Sequence, residues 1–262
     1  MTVVLAGVGA DTTNFGTVAP LHADGRFEYV PIPEKTPETD EPKTLGSWPL
    51  RYDDRVAADL TTRIVPNPAD GTTVAGEGAR EWPLHHDPNF DALTYGEHRP
   101  GYVRRLKRLE AGDVVGFYAG LRTPEDDRTH RYLIGYFTVR TVSVISPEQS
   151  IEERSQILAE HPENAHAKRA IDGVPFYDDR EVVIVDGTTP GGLFDADPIR
   201  MSEYRILDGN VRAQYYLTES FEREFHAVEG RTNMQFKPAY LCDLSGPEFV
   251  DRVGIPGERI ER

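Results

Sequence analysis

The stretch WPLHHDPNFDALTYGEHRPGY, Trp82 to Tyr102, gathers histidines, carboxylates and aromatics among prolines and glycines. Two kinds of chemistry use such a set. Imidazoles and carboxylates hold a zinc or iron ion, while aromatics with a few polar groups line a small-molecule pocket. A metal set would draw on His85, His86, Asp87 and His98. Adjacent histidines cannot both face one ion from a strand, because successive side chains point to opposite sides. The chain also has no H-x-x-x-H or C-x-x-C pair. A two-histidine, one-carboxylate set requires His98, or the distant His22, His161 or His166, to fold back. The expectation is therefore no cofactor, with a divalent ion on His86 and Asp87 as the alternative. On the pocket reading, Asp87 and Tyr95 aim polar groups inward while Trp82 and Phe90 anchor the loop. Asp87, preceding Pro88, is extended. A packed connector is the plain alternative.

A second polar set follows the N-terminal apolar run. In GVGADTTN, Gly7 and Gly9 form a turn whose N–H groups could meet an anion. The third glycine of a dinucleotide fingerprint is missing, and Asp11 would repel a pyrophosphate. Asp11, Thr13 and Asn14 could instead read the edge of a base or sugar, or simply cap their own turn. VDGTTPGGLF, Val185 to Phe194, reads as a strand and then a loop that meets phosphate or nothing. His161, His166, Lys168 and Arg169 suit a helix C-terminus. Spacing alone assigns no Ser-His-Asp set. Cys242 is most simply a buried hydrophobe.

These groups need elements to hold them. TVVLAGVG and GRFEYVPIPE read as strands, and DVVGFYAGL and RYLIGYFTVRTVSVI as the strongest pair, joined by the polar RTPEDDRTH hairpin. REVVIVDGT adds another strand. Helices are expected around Arg55 to Arg63, from Pro100 to Gly112, from Ser146 with Pro147 first and Gln149 third, over SFEREFHAVEG to Gly230, and from Ser245 with Glu248 to Gly254. Separated strands and helices argue an α+β chain. It reads as a single domain, residues 1–262, with a core over about 1–145 and an extension over about 146–262.

The order helix, Gly112-Asp113 turn, aromatic strand ending Phe117-Tyr118, polar loop, then Ile134-Gly135-Tyr136-Phe137, is similar to the PUA-like barrels of the EVE and ASCH branches. That resemblance implies a PUA-like mixed β-barrel core with flanking helices and a C-terminal extension. It implies a cupped pocket in which a nucleobase stacks on an aromatic, Tyr118 first and Tyr136 next. Taken in order, VVLAGVGADTTN, GRFEYVPIPE, HHDPNFDALTYGE and GDVVGFYAG with YLIGYFTV resemble nucleotide modification associated domain 3. The resemblance implies a setting, nucleotide or DNA modification, and transfers no catalytic residue.

Composition bounds the rest. The net charge is −15, from 29 basic and 44 acidic residues. Lysine is scarce, at Lys35, Lys43, Lys107, Lys168 and Lys237. Such an arginine-dominated, strongly acidic chain reads as one working in concentrated salt, where net charge neither excludes nor supports a nucleic-acid partner. One cysteine and no long apolar run fit a cytoplasmic protein with no membrane partner. The expected ligand set is Asp11, Thr13, Asn14, His86, Asp87, Tyr95, Tyr118 and Tyr136, holding a nucleotide or nucleic acid with a modified base. A metal-assisted enzyme on nucleotides and a scaffold without a pocket are the competing readings. The base-binding reading requires a cavity joining the end of the first strand to the TYGE turn.

Overall fold

The computed structural model describes residues 2–255 apart from 125, 127, 207–210, 230–232 and 236. Its centre is the strand pair read most strongly from the sequence. Val114–Arg122 and Thr129–Ile145 run antiparallel. Val3–Gly7 lies parallel to Val114–Arg122, and Val182–Leu193 antiparallel to Thr129–Ile145. The main path is Ala227–Glu229, Tyr240–Cys242, Val3–Gly7, Val114–Arg122, Thr129–Ile145, Val182–Leu193 and Thr94–Glu97. The sheet curls into a half-barrel but stays open, because its end strands do not pair with each other. The α+β class stands. The closed barrel is not formed.

Local signals explain most elements. Gly112 turns with φ +92°, and Asp113 fixes that turn by accepting the N–H groups of Thr2 and Glu110. The Pro100–Leu106 helix opens on its proline and buries Tyr102, Val103 and Leu106. Gly246–Val253 carries the expected box, Ser245 bonding Glu248 N–H and Glu248 returning to Ser245. No described helix is long and apolar enough to cross a membrane.

Six elements differ from expectation. The strand expected over GRFEYVPIPE pairs only at Ile32–Pro33 and in isolated bridges, and the helix expected from Pro100 to Gly112 ends at Leu106. The helix expected from Ser146 begins instead at Ile151, capped by Ser150 and Glu153. The reciprocal Gln149–Ser146 bond forms, but in a preceding turn. A carboxylate at the third position suits the helix dipole better than an amide. Around Arg55 to Arg63 only a 3-10 turn forms, Ala57–Leu60. SFEREFHAVEG is helical only over Glu219–Phe225, since His226 adopts φ 47° and Ala227–Glu229 joins the sheet. Gly230, its expected stop, lies outside the described residues. The expected TTPGG loop is strand: pairing continues to Leu193 through two register shifts. Gly187 and Gly191 permit this, because a Cβ on either would lie 2.3 Å and 2.6 Å from Phe137 atoms.

One apolar cluster draws on residues from Val3 to Val253 and covers both faces of Val114–Arg122. That double burial matters for the site. Ser202–Arg205 and Gln214–Leu217 form a separate hairpin, fixed to the long strand by Arg131 N–H to Ser202 Oγ, 2.8 Å, and Met201 N–H to Arg131 O, 2.8 Å.

Candidate functional site

Two adjoining chambers open beside the end of the first strand. The larger, about 800 Å³, runs from the Asp11–Asn14 turn to Arg128, Arg131, Tyr204 and Tyr215. The smaller, about 260 Å³, joins Gly7 and Gly9 to Asp87, the Tyr95–Arg99 segment and His166. Asp11, Asn14, Arg99 and Lys237 line both. A cavity does therefore join the first strand's end to the TYGE turn.

The opening stretch supplies much of the smaller chamber. Phe90 anchors it, edge-on to Tyr29 at 5.4 Å and to Phe117 at 5.4 Å. Trp82 anchors it through its indole N–H to Glu34 O, 2.7 Å. The Asp87–Pro88 bond is cis. Both Asp87 oxygens accept the Gly96 N–H, at 3.0 and 3.2 Å. Burial raises the Asp87 carboxyl above its ordinary value, against the pull of His85 and that N–H. Tyr95 donates to Glu97 Oε2 at 3.0 Å, and Arg99 clasps the same carboxylate at 2.6 Å.

Strand alternation separates the two adjacent histidines. His85 and Asp87 face the smaller chamber, whereas His86 faces a different cavity of about 560 Å³ with Tyr29, Trp48 and Phe90. His86 is buried, its pKa is lowered to about 3 by that burial and by Lys43, and its Nδ1 has no hydrogen-bond partner among the described residues. The pairing of His86 with Asp87 as metal ligands is thus corrected. His166 folds back instead, from the Ala165–Lys168 turn capped by Asn164. His85 Nε2 and His166 Nε2 lie 3.5 and 3.6 Å from Asp87 Oδ2.

A buried ion pair fixes His85. Glu34 Oε2 lies 2.9 Å from His85 Nδ1, and Arg169 Nε lies 2.6 Å from Glu34 Oε1, a close contact whose angle falls outside hydrogen-bond geometry. Burial would raise the Glu34 carboxyl, but His85 and Arg169 bring it down to about 2. Burial lowers His166 well below the usual imidazole value and His98 to about 3, so both are neutral at pH 7. His98 stacks on Tyr177 at 3.9 Å.

The Asp11 turn is fixed by its own side chains. Asn14 Oδ1 accepts Asp11 N–H and Asp11 accepts Thr13 N–H, which caps the turn. Its side chains also line the chambers. Burial would raise the Asp11 carboxyl, but Lys237 at 2.9 Å holds it below the ordinary value. Lys237 also donates to Val8 O and Gly9 O.

The expected stacking floor is corrected. Tyr118 is fully buried, its hydroxyl donating to Pro238 O, and it lies behind the Gly7 wall. Tyr136 is fully buried against Phe194 and Phe249 and donates to Gly254 O. Both rings are in the core because both faces of their strands are covered. The aromatics that reach the larger chamber are Tyr204 and Tyr215, 4.9 Å apart. Arg128 lies over Tyr204 at 5.1 Å and Arg131 over Tyr215 at 4.5 Å. Sequence reading did not single out this wall; its one local signal is the SEYR and QYYL alternation.

The arginines differ in how far they are committed. Arg99 has Glu97, Lys237 has Asp11, and Arg128 has Asp126 at 3.9 Å. Arg131 has no carboxylate within 4.0 Å among the described residues. It donates Nη1 to Thr129 O, and its buried Nε has no partner. Burial lowers its pKa, yet an arginine stays charged.

Outside the cleft, His161 Nδ1 lies 2.9 Å from Asp186 Oδ2 and its Nε2 lies 3.0 Å from Ser143 Oγ. This is the bond order of a hydrolytic triad. Ser143 sits mid-strand and lines none of the cavities described above, so the bonds tie the end of the Ile151–Glu160 helix to the sheet.

In a comparison with known families, the model for nucleotide modification associated domain 3 matches residues 2–252. No curated protein and no solved structure matches.

Proposed function

We propose that this chain, which belongs to the nucleotide modification associated domain 3 family, binds a nucleotide in its two-chambered cleft, phosphate in the larger chamber and base toward the smaller. The observation that carries the reading is a local inversion of charge. The chain is −15 overall, yet Arg99, Arg128, Arg131 and Lys237 line the larger chamber with Asp11 as its one lining carboxylate among the described residues; Glu97 and Asp126 pair with Arg99 and Arg128, which leaves Arg131 in excess. Holding like charges together costs free energy, and an anionic ligand offsets it. Arg131, which no carboxylate among the described residues pairs, is the group best placed to meet a phosphate, and a guanidinium suits that geometry. The volume, about 800 Å³, falls within the roughly 300–1,000 Å³ of small-molecule sites. Tyr204 and Tyr215 offer a stacking wall. Asn14, Asp87 and the histidines offer edge contacts for a base, modified or not. The family supports a setting in nucleotide or nucleic-acid modification.

The test is calorimetric titration of the four 2′-deoxynucleoside 5′-monophosphates and their nucleosides in concentrated salt, with a short single-stranded oligonucleotide as a further arm. At a Debye length of about 3 Å in about 1 M salt, only contact-range attraction survives. A charge-assisted contact contributes about 1.5–3 kcal/mol, so the best monophosphate should bind roughly 10–150-fold tighter than its nucleoside. Arg131→Gln should erase most of that ratio. Equal binding of nucleotide and nucleoside by the unaltered chain rejects the proposal.

A further inference from the structure

We propose that His85, Asp87 and His166 bind one divalent transition-metal ion on the wall of the smaller chamber. The inference goes beyond the nucleotide reading and does not depend on it. One donor atom from each of His85, Asp87 and His166 lies within 4.8 Å of the other two, and the Nε2 atoms of both histidines face Asp87 Oδ2. Each residue is buried, yet each lines the chamber. The two imidazole-to-carboxylate distances, 3.5 and 3.6 Å, exceed the roughly 2.7–3.2 Å of a hydrogen bond. Both contacts are thus longer than ordinary hydrogen bonds. Donors about 2.0–2.1 Å from a common ion at a tetrahedral angle lie roughly 3.3–3.4 Å apart, so the two imidazole–carboxylate pairs already have nearly that spacing, and the two imidazoles, within 4.8 Å of each other, must close the rest.

The surroundings fit the same reading. Glu34 Oε2, 2.9 Å from His85 Nδ1, favours the tautomer with its proton on Nδ1 and leaves the Nε2 lone pair toward the chamber. Metal-bound histidines commonly carry such a carboxylate behind them. Arg169 Nη2 lies 2.7 Å from the same Nδ1 and can only donate, so it favours the opposite tautomer; an ion on Nε2 requires Nδ1 to keep its proton toward Glu34 while Arg169 stays paired with the Glu34 carboxylate. Asp87 is then the net charge of the donor set. Gly96 makes room for the third ligand, because a Cβ there would fall 2.3 Å from His166 Cδ2. Two imidazoles and one carboxylate select zinc, iron or cobalt over magnesium or calcium. Three protein ligands leave coordination positions open to the chamber, the arrangement of ions that hold a water or a ligand oxygen.

The test uses the full chain stripped with a chelator, Zn²⁺ by calorimetry and Co²⁺ by its visible absorption, with no nucleotide present. Its outcome is thus separate from that of the nucleotide titration. The expected result is one ion per chain. His166→Gln and Asp87→Asn should weaken it by at least the roughly 10–100-fold that loss of an outer-shell partner costs. His86→Ala, on the other cavity, should leave it unchanged. Circular dichroism and thermal melting of each variant establish that it is folded. Should a variant fail to fold, Co²⁺ broadening of imidazole NMR signals in the unaltered chain decides: His85 and His166 affected first supports the site, other histidines first overturns it. Absence of Zn²⁺ binding, or equal loss in His86→Ala, also overturns it.

Discussion

Replacing Arg169 with methionine would leave Glu34 buried beside a single remaining partner, and the cost follows from the structure. Both side chains are almost wholly buried, 2% and 1% exposed. Burial opposes the charged form of Glu34, and His85 and Arg169 more than offset it, taking its pKa from 4.5 to about 2. At about 1.4 kcal/mol per pH unit, that difference corresponds to roughly 3 kcal/mol of stability, supplied by His85 first and Arg169 second. Breaking a buried pair by removing one partner typically costs about 3–5 kcal/mol, and that is the loss expected of Arg169→Met. With an unfolding entropy of about 2.1 cal/mol/K per residue, a chain of this length should lose roughly 5–10 °C in Tm. The double variant Glu34→Gln with Arg169→Met removes both charges and should recover most of the loss. The assay is urea and thermal denaturation of unaltered, single and double variants at pH 7 and pH 3. The sign is fixed by the depressed pKa. The contribution of Glu34 is present above 4.5 and is lost as pH falls from there through about 2. The gap between unaltered chain and Arg169→Met should therefore narrow at pH 3. A single-variant loss under about 1 kcal/mol, or a gap equal at both pH values, refutes the account.

Gly96→Ala should destabilise the chain by about 1–3 kcal/mol, because the new methyl would lie 2.3 Å from His166 Cδ2 and 2.9 Å from Asn164 Oδ1. Urea denaturation measures this, and an unchanged midpoint contradicts the packing described. Tyr118→Phe should cost about 1–3 kcal/mol in stability, as the Pro238 carbonyl loses its donor, and leave nucleotide affinity unchanged. Tyr215→Ala should do the reverse, weakening nucleotide binding by about 1–3 kcal/mol in a calorimetric titration. If Tyr118→Phe were instead the variant that lost affinity, the stacking wall would be misplaced.

Much of the fold was legible because its signals are local. Val114–Arg122 and Thr129–Ile145 announce themselves by apolar run and polar loop, and the Ser245–Glu248 box marks a helix start within four residues. GRFEYVPIPE reads as a strand, yet its ladder pairing is limited to Ile32–Pro33 and isolated bridges. Its prolines donate no N–H to a ladder. The open sheet was not legible, since closure depends on whether distant edges meet.

By itself the sequence determined the strongest strands, several caps, the turn groups Asp11 and Asn14, and the rule that His85 and His86 cannot serve one site. Each of these depends on bonds or alternation within a few residues. Only the tertiary structure decided which aromatics face the cleft, and that His166 and Arg169 lie against His85. It alone gathered Arg99, Arg128, Arg131 and Lys237 around one chamber in an acidic chain. Separation along a chain carries no information about separation in space. Whether a strand is covered on one face or two depends on what packs over it, which no window of the strand contains.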